Sequence, residues 1–472
     1  MNPTHPRSFT PSRRTFLKST AVAAAAFTLP RFSIGQPGPS ALGKINVACI
    51  GIGNRGFYAV SELMKDPRVN IVAFADVDRV RVDDTLRRGA ELKKNSELTC
   101  ADLTSVPVFP DYREMFAKMS DKIDAVTVST PDHHHYPAAM MAIQRGKHVY
   151  VEKPLTHSVG EARALRDAAK KKGIVSQMGN QGRATEGIRL IKEWTDGGVL
   201  GDVREVHAWS PEFPERYFKR PDALPLAKET PPPTLDWDLW LGPAESRPYN
   251  QLLAPVTWRG WWNYGNGMLG DWACHTLDGP FWALDLGAPS SVEAKVSEVS
   301  SEISPHTAEV TYRFPARGKR PAVVMKWFEG NGQKPPVPKG WEDDPKKPGL
   351  PERGMLMRGE KNTLFAPGGR PDSPRLLGTA VMEEFKKNRP APKHPRVTGG
   401  PMREWLNAIE KTGPVPGSNF EYSVPLSEMV LLGVVAVRTG KKIEWDAKAG
   451  KITNDPALNQ YIKIAARDGW KV

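Results

Sequence analysis

One stretch near the start of the chain restricts the fold more than any other. Residues 44–50, Lys-Ile-Asn-Val-Ala-Cys-Ile, predict a buried strand, and Gly-Ile-Gly-Asn-Arg-Gly follows at once at 51–56. A helical stretch at 57–65 and a second strand at 69–75 come next, and that strand ends at Asp76. A strand, a G-x-G-x-x-G turn, a helix, a strand and an acid in this order predict a dinucleotide-binding unit.

The glycine-rich turn and the acid have predicted roles in binding the dinucleotide. Gly51 would make the tight turn, Gly53 would let backbone amides approach a pyrophosphate, and Gly56 would permit close helix packing. Asp76 lies where a carboxylate that binds ribose is expected, and its charge would repel a 2′-phosphate. We therefore predict NAD as the cofactor, although Arg79 beside this strand end leaves NADP open.

Strands and helices continue to alternate as far as about residue 180. Further elements are predicted as strands at 122–129, 148–151 and 174–178 and as helices at 81–94, 137–146 and 158–172. This alternation predicts a doubly wound parallel sheet of the Rossmann type, so the chain is of the α/β class. In such a sheet, ligands bind at the carboxyl ends of the strands.

Charged residues follow the strand at 148–151, at the edge where the cofactor would bind. Pro154 cannot continue the hydrogen-bond ladder, so Glu152 and Lys153 should lie at the end of that strand. A lysine there can reach a bound substrate and, if it is partly desolvated, lose its proton near neutral pH. The predicted cofactor-binding residues are Gly51, Gly53, Asn54, Arg55, Gly56, Asp76, Thr130, Pro131, His135, Glu152, Lys153 and Asn180.

Three consecutive histidines, His133, His134 and His135, follow the strand that ends near residue 129. Consecutive side chains of an extended loop point in different directions, so three imidazoles there cannot easily share one metal ion. We predict no metal site and expect this loop, through His135, to contact the cofactor or the substrate.

The composition changes after about residue 180. Tryptophans cluster between 237 and 262, and residues 292–328 alternate like antiparallel strands. Two stretches rich in Pro, Gly and Lys, at 330–353 and 366–396, are predicted to be long surface loops. Helices are predicted at 400–411 and 425–438.

These patterns divide the chain into three predicted parts. Residues 1–36 form a signal segment, and residues 42–180 form the NAD-binding Rossmann domain. Residues 181–472 form an α+β domain with a large, mostly antiparallel sheet, which we expect to bind substrate and to mediate oligomerisation.

A second stretch with catalytic potential lies at 261–275. Asp271 and His275 are four positions apart, so they share one face of a predicted helix, and Asp278 continues that face. Aromatic and basic residues nearby could present flat faces and donors to a sugar ring, although packing between domains is an alternative role for them. The predicted substrate-binding residues are Arg183, Trp258, Arg259, Trp261, Tyr264 and His275.

Together these motifs resemble the Gfo/Idh/MocA oxidoreductases, relatives of glucose–fructose oxidoreductase and inositol dehydrogenase. The resemblance rests on the turn at 51–56, on Glu152-Lys153-Pro154 and on Gly267-x-x-x-Asp271-x-x-x-His275, and it runs from about residue 42 to the end. It implies that Lys153, Asp271 and His275 are catalytic and act on a hydroxyl-bearing substrate beside the nicotinamide. Members that cleave glycosides through transient oxidation, and members without known activity, also occur in this family.

The main functional hypothesis is an exported enzyme that transfers hydride between NAD and a hydroxyl carbon of a sugar or polyol. This reaction needs a base and a group that polarises the oxygen, and Lys153 and His275 can fill these roles in either order. Asp271 would hold one of them in place. Two alternatives stay open: a glycosidase or lyase that uses tightly bound NAD for transient oxidation, and a non-catalytic, NAD-carrying carbohydrate-binding protein.

The first residues of the chain predict export. Ser-Arg-Arg-Thr-Phe-Leu-Lys at 12–18 places a twin arginine before an apolar pair, and the Ala-rich run at 21–29 is short for a membrane span. This pattern resembles a twin-arginine signal. We therefore expect the twin-arginine translocase as a partner and a periplasmic location, with membrane anchoring if the signal is not cleaved.

Charge and cysteine content exclude other classes of function. The net charge of +13 is scattered along the chain without a reading motif, so no nucleic-acid partner is predicted. Cys49, Cys100 and Cys274 are too few and too far apart to predict a disulfide framework. We expect a homo-oligomer whose ligand is a small carbohydrate or polyol.

Overall fold

Two β-sheets organise the part of the chain that the structure describes. This structure is a computed structural model that describes residues 43–100, 102–342 and 348–472. The predicted signal at 1–36 lies outside these residues. Both sheets belong to one compact unit, so the boundary between 42–180 and 181–472 stays a prediction.

The first sheet is formed by the strands β1 (Ile45–Ile50), β2 (Val69–Ala75), β3 (Val108–Phe109), β4 (Ala125–Val128), β5 (His148–Val151) and β6 (Ser176–Met178). They run parallel in the order β3-β2-β1-β4-β5-β6. The helices that connect them are α1 (Arg55–Met64), α2 (Arg79–Asn95), α3 (Tyr112–Met119), α4 (Asp132–Gln144) and α5 (Val159–Lys172). The predicted doubly wound parallel sheet is confirmed.

Strand β1 explains why this sheet is covered on both faces. Ala48 and Ile50 pack into one hydrophobic core, whereas Val47 and Cys49 pack into another. Side chains alternate across a strand, so a nearly uninterrupted apolar run must be buried on both sides. The apolar sequence at 45–50 therefore specifies a central strand.

The start of helix α4 differs from the sequence-based prediction. It begins at Asp132 rather than at Pro137, so the three histidines lie in its first turns and not in an extended loop. The Nε2 atoms of His133 and His134 lie 3.1 and 3.0 Å from the Trp240 carbonyl oxygen. These tertiary contacts, rather than the proline, determine where the helix begins.

The second sheet is formed by β7 (Val203–Ser210), β8 (Ser291–Val296), β9 (Ala308–Phe314), β10 (Val323–Glu329), β11 (Gly354–Gly359), β12 (Thr363–Pro367), β13 (Arg375–Leu376), β14 (Ile443–Asp446) and β15 (Lys451–Ile452). Their order is β13-β12-β11-β7-β10-β9-β8-β14-β15. Only the β7–β10 pair within this sheet is parallel. The predicted large, mostly antiparallel sheet is confirmed.

The remaining helices are α6 (Glu186–Asp196), α7 (Trp237–Leu241), α8 (Gly267–Thr276), α9 (Asp278–Ala283), α10 (Thr379–Lys387), α11 (Gly400–Ile409) and α12 (Phe420–Thr439). Helix α10 lies where a loop was predicted, because Met382 and Phe385 pack against the core despite the polar composition around them. Within the described residues, α12 alone is long and apolar enough to cross a membrane, and most of it is buried.

The C-terminal part of the chain packs against the first sheet. The Trp405 ring lies 5.8 Å from the ring of Tyr150 on β5, and the Gly160 amide donates a hydrogen bond of 2.7 Å to the Ile462 carbonyl. The Arg113 guanidinium lies 3.9 Å from the centre of the Trp470 ring. The last seventy residues therefore complete the surface of the first sheet.

Candidate active site

A cavity of about 710 Å³ opens at the carboxyl ends of strands β1, β2, β4 and β5 and faces helix α8. The position agrees with the general rule for ligand binding in doubly wound sheets. Its lining includes the predicted residues Gly51, Gly53, Asn54, Arg55, Asp76, Thr130, Pro131, His135, Glu152, Lys153, Trp258, Arg259, Asp271 and His275.

The glycine-rich turn leaves room for a phosphate group beside the N-terminus of α1. Gly51 has φ of 73°, and a Cβ there would lie 2.8 Å from the Thr130 nitrogen. A Cβ on Gly56 would lie 2.0 Å from the Gly51 carbonyl oxygen, so this glycine permits the close helix packing. A Cβ on Gly53 would meet only the Arg81 side chain within 3.0 Å. The turn fits the pyrophosphate of a dinucleotide.

Asp76 is held rigidly at the end of β2. Its two carboxylate oxygens accept hydrogen bonds from the Ile52 amide, at 2.9 Å, and from the Asp78 amide, at 3.1 Å. Burial raises the pKa of Asp76, and these amides oppose that shift. Each oxygen retains a lone pair, so the side chain can accept hydrogen bonds from the hydroxyl groups of a ribose.

The arginine that bears on the choice between NAD and NADP is not the predicted one. Arg79 is mostly exposed and pairs with Asp83 at 2.9 Å. Arg81 lines the cavity instead, 3.5 Å from Asp78. Any recognition of a 2′-phosphate would therefore depend on Arg81.

Glu152 carries an unsatisfied buried oxygen at the end of β5. Its Oε1 accepts hydrogen bonds from Arg55 Nε at 2.9 Å and Gln181 Nε2 at 3.2 Å. Its Oε2 is buried and has no partner among the described residues. A buried oxygen of this kind needs a donor, and a cofactor amide or hydroxyl group in the cavity would supply one.

Lys153 and Asp271 meet across the cavity although they are 118 positions apart. Lys153 Nζ lies 2.6 Å from Asp271 Oδ1 and 2.6 Å from the Asp271 carbonyl oxygen. Arg259 Nε lies 3.4 Å from the same carboxylate oxygen. Burial would raise the pKa of Asp271, but the charges of Lys153 and Arg259 outweigh it and hold the pKa below its usual range.

His275 lies one helical turn after Asp271 and is buried at the cavity wall. Burial and then the charge of Lys153 hold the pKa of His275 well below its usual value, so the imidazole is neutral at neutral pH. Its Nδ1 is buried and has no partner among the described residues. Within the described part of the chain, the ring therefore keeps one nitrogen without a hydrogen-bond partner at the cavity wall.

Asp132 is a cavity residue that the sequence did not indicate. It begins helix α4, lines the cavity and accepts a 3.0 Å hydrogen bond from Asn266 Nδ2. Burial raises the pKa of Asp132 to about 7, although the charge of Lys153 opposes the shift. This carboxyl group can therefore change protonation state near neutral pH.

His135 lies at the cavity edge between two strand ends. Its Nδ1 lies 2.8 Å from the Pro154 carbonyl oxygen and its Nε2 lies 3.0 Å from the Thr130 carbonyl oxygen. Burial lowers the pKa of His135 to about 4, so only one ring nitrogen carries a proton at neutral pH. Among the residues described, no group of three or more His, Cys, Asp or Glu could hold a metal ion.

Two predicted residues near residue 180, Asn180 and Arg183, lie outside the cavity lining, so their contacts with cofactor and substrate stay a prediction. Asn180 Nδ2 donates a 2.8 Å hydrogen bond to buried Asp278. Arg183 Nη1 lies 3.6 Å from the same aspartate, and its guanidinium lies 3.9 Å from the ring centres of Trp282 and Tyr422. Both side chains therefore contact Asp278 and do not line the cavity.

Two aromatic residues assigned to substrate binding are also outside the cavity lining. Trp261 is buried and donates a 2.8 Å hydrogen bond from Nε1 to the Leu252 carbonyl. The Tyr264 ring is buried, 4.8 Å from the Trp240 ring and 5.2 Å from the His133 ring. Both residues belong to a hydrophobic cluster, which agrees with the packing role that the sequence left open for them.

The structure also brings residues to the cavity that sequence patterns gave no reason to choose. Trp272 follows Asp271 directly, and its position beside that motif was the available signal. The others include Arg81, Tyr112, Asp132, Gln181, Arg216, Tyr217 and Arg370. Arg370 comes from the stretch predicted as a surface loop.

Two family models match this chain in succession. Residues 45–180 match an oxidoreductase family with an NAD-binding Rossmann fold, and residues 189–319 match the C-terminal alpha/beta domain of the same family. The chain belongs to the Gfo/Idh/MocA oxidoreductase family, as its motifs indicated. Residues 10–30 match a twin-arginine translocation signal, which supports export by that pathway.

This chain is similar in sequence to two curated carbohydrate enzymes and similar in fold to a solved dehydrogenase structure. A levoglucosan dehydrogenase of Pseudarthrobacter phenanthrenivorans is 36% identical over 81 residues, 17% of this chain and 21% of the relative. A glycosyl hydrolase family 109 protein of Shewanella baltica is 28% identical over 219 residues, 41% of this chain and 46% of the relative. The alignments to these relatives therefore span less than half of their length.

The WlbA dehydrogenase of Bordetella pertussis, solved in complex with NADH and UDP-GlcNAcA, has a similar fold. It is 15% identical with a TM-score of 0.56, and the match covers 85% of this chain and 99% of that one.

Proposed function

We propose that this protein is an exported NAD-dependent dehydrogenase that acts on a hydroxyl carbon of a sugar, polyol or related carbohydrate. The observation that carries this proposal is the pairing of Lys153 with Asp271 at 2.6 Å, in the same cavity as His275 and the glycine-rich turn. The cavity thus combines a turn that fits a dinucleotide with groups that can donate or accept a hydroxyl proton.

The proposed cofactor residues are those whose geometry fits NAD. Gly51, Gly53 and the start of α1 would hold the pyrophosphate, Asp76 would accept the ribose hydroxyl groups, and Glu152 would accept a hydrogen bond nearer the reacting end. The bound NAD would supply the hydride acceptor.

The three catalytic residues divide the proton chemistry in this proposal. Lys153, paired with Asp271, donates a hydrogen bond to the substrate oxygen and so makes its hydroxyl group more acidic. His275 is neutral and has a free Nδ1, so it takes the hydroxyl proton. Arg259 helps to keep Asp271 ionised when the lysine turns toward the substrate.

Redox-assisted glycoside cleavage is the second candidate function. The similarity to a glycosyl hydrolase family 109 protein favours it, and so does the export signal, because free NAD is scarce outside the cytoplasm. In this candidate the same residues would oxidise the sugar, allow elimination and then restore the original oxidation state.

The test begins with the purified, full-length protein. Absorbance and mass spectrometry would report bound NAD(H), and a panel of sugars, polyols and glycosides would follow with added NAD. Production of NADH from an unmodified sugar supports the dehydrogenase. Glycoside hydrolysis without net NADH supports the second candidate, and cofactor binding without any turnover supports a carbohydrate-binding protein.

We also propose a periplasmic, homo-oligomeric protein. Cell fractionation with the native signal, and with Arg13→Lys and Arg14→Lys together, would test the location. Native mass spectrometry would test the oligomeric state, and a monomer would contradict it.

A further inference from the structure

We infer that this site takes an acidic sugar, and that Arg370, flanked by Arg353, binds the carboxylate group of that substrate. This inference rests on the proposed function, because it names the class of carbohydrate that the same cavity would accept. The group it requires is an anion in the part of the cavity that His275 and Arg370 line.

Arg370 has no paired carboxylate among the residues that the structure describes. It lines the cavity, and its Nη2 lies 3.4 Å from Gln181 Oε1. Its Nε is buried without a hydrogen-bond partner, and no carboxylate of the described residues lies within 4.0 Å of the guanidinium. A buried guanidinium donor that lacks a partner is costly, and an acceptor bound in the cavity would satisfy it.

A second unpaired arginine adds to the positive charge. The Arg353 guanidinium lies 3.9 Å from the ring centre of Trp272, which lines the same cavity. Its Nε is also buried without a partner among the described residues. Burial lowers the pKa of Arg353. The charges of Asp271 and Glu352 oppose this shift, whereas the charge of Arg370 adds to it, so the two cations lie within electrostatic reach of each other. An anion near both would remove this repulsion.

The loop that carries Arg370 is fixed to the helix that carries Asp271 and His275. Thr276 Oγ1 donates a 2.8 Å hydrogen bond to the Gly369 carbonyl oxygen. A Cβ on Gly369 would lie 2.4 Å from Trp272 Cζ3, so the loop backbone lies directly on that ring. Arg370 is therefore placed in advance, as a specific carboxylate contact requires.

Arg183 shows how the same fold treats an arginine that has a structural role. It too lies over aromatic rings, but Asp278 lies 3.6 Å away and both residues are buried. Among the described residues, a carboxylate lies within 4.0 Å of the Arg183 guanidinium, and none lies within that distance of Arg370 or Arg353. This difference distinguishes a structural cation from one that is kept for a ligand.

The carboxylate of a uronic acid fits this arrangement by chemistry. A guanidinium and a carboxylate are both planar and can form two parallel hydrogen bonds. A sugar whose ring hydroxyl lies near Lys153 and His275 can extend a carboxylate from the ring toward the helix face and the Gly369–Arg370 loop. The reaction itself is unchanged: a hydride and a proton leave the carbinol group, and the carboxylate takes no part in bond making.

The experiment compares acidic and neutral sugars of the same stereochemistry. D-glucuronate and D-galacturonate would be tested against D-glucose and D-galactose, with NAD, for the wild type and for Arg370→Gln, Arg370→Lys and Arg353→Gln. We expect the wild type to prefer the uronates. In Arg370→Gln the ratio of kcat/KM for acidic over neutral sugar should fall by about 10–100-fold, the loss of a hydrogen bond to a charged group.

The variants separate a ligand contact from a structural role. Arg370→Lys should recover part of the ratio, mainly through KM, and Arg353→Gln should lower it less than Arg370→Gln. Arg375→Gln is the matched control, because this exposed arginine lies over Trp341 and Phe365 away from the cavity. Equal losses for acidic and neutral sugars in Arg370→Gln, or a weakened affinity for NAD, would overturn the inference.

Binding measurements keep the inference testable if no sugar is oxidised. Calorimetry with D-glucuronate would measure its Kd for the NAD-loaded wild type and for Arg370→Gln. Binding that the substitution weakens, without any turnover, supports the subsite while the proposed dehydrogenase function fails. Absence of uronate binding to the wild type, or binding only of a sulfated sugar, contradicts the carboxylate assignment.

Discussion

The two walls of the cavity are built in different ways. The wall at the strand ends comes from short motifs that follow β1, β2, β4 and β5, and each motif lies next to the strand that positions it. The opposite wall combines helix α8 with loops that carry Tyr217, Arg259 and Arg370, residues far apart in the sequence. Its geometry depends on tertiary contacts such as the Thr276–Gly369 hydrogen bond.

This difference separates two kinds of chemistry. The strand-end wall is constrained by a dinucleotide, whose phosphate needs glycine and a helix N-terminus. Under the proposed function, the opposite wall would determine which substrate is accepted, and its residues could change without disturbing the glycine-rich turn. Lys153 is the connection, because it belongs to the first wall and pairs with Asp271 on the second.

The strongest test of this comparison removes the Lys153 side chain, which connects the two walls. Lys153→Ala should lower kcat by about 10²–10⁴-fold, the usual contribution of one acid–base group, because the substrate oxygen loses its hydrogen-bond donor. The affinity for NAD should stay close to that of the wild type. Steady-state kinetics and calorimetry would measure the two quantities, with exposed Lys170→Ala as the control. Wild-type turnover by Lys153→Ala would remove the catalytic assignment.

The second prediction asks whether the two walls act as a unit. His275→Ala should lower kcat by a similar factor of about 10²–10⁴, because the substrate hydroxyl group loses its proposed proton acceptor. The double variant with Lys153→Ala should lose much less than the product of the two single losses, since groups that act together are not additive. Full multiplication of the losses would show that the residues act independently.

The third prediction concerns only the glycine-rich turn at 51–56. Gly53→Val should raise the Kd for NAD by about 10²–10⁴-fold, as expected for the loss of two hydrogen bonds to a charged pyrophosphate. The protein should still fold, because the added Cβ meets only the flexible Arg81 side chain within 3.0 Å. Circular dichroism would check the fold and calorimetry the affinity. An unchanged NAD affinity would exclude this turn as the cofactor site.

The fourth prediction concerns the choice of cofactor. Asp76→Ala should weaken NAD by about 10–100-fold, the loss of one charged hydrogen bond, and should weaken NADP less, because the carboxylate no longer repels a 2′-phosphate. Arg81→Ala should weaken NADP more than NAD, and exposed Arg79→Ala should change neither. Equal losses of both cofactors in Asp76→Ala would mean that this carboxylate does not contact the ribose.

The fifth and smallest effect concerns stability and pH. Burial raises the pKa of folded Asp132 to about 7, above its value in an unfolded chain, so the folded state binds the proton more tightly. The contribution of protonated Asp132 to the free energy of unfolding is therefore complete below about pH 4, and it is lost as the pH rises to about 7. Thermal melts should show that the Tm of the wild type falls relative to Asp132→Asn across this window. A constant difference in Tm would contradict the shift.

Sequence patterns predicted the strand-end wall because its information is local. The turn at 51–56, Asp76 and Lys153 each lie within a few residues of a strand whose apolar composition specifies its place. Asp271 and His275 were also predictable, since their spacing of four puts them on one helix face.

The differences between the predicted and the observed cavity lining have a common physical cause. Asn180 and Arg183 follow a strand end like the predicted residues that line the cavity, but they contact Asp278, which lies 98 positions after Asn180. Arg370 was missed because its loop is held by Trp272 and Thr276, which no local pattern connects to it. Partners distant in the sequence decide these cases, and composition does not reveal them.

Ile462 and Trp470 contact two helices that cover the first sheet, and this has a consequence for how the protein is made. Translation makes the export signal long before these two residues, so the surface of the first sheet stays incomplete until residue 470 has left the ribosome. The twin-arginine route transports folded proteins, and transport along it must therefore follow synthesis. A chain that ends before Ile462 would carry the whole signal but would lack the contacts that finish its first sheet.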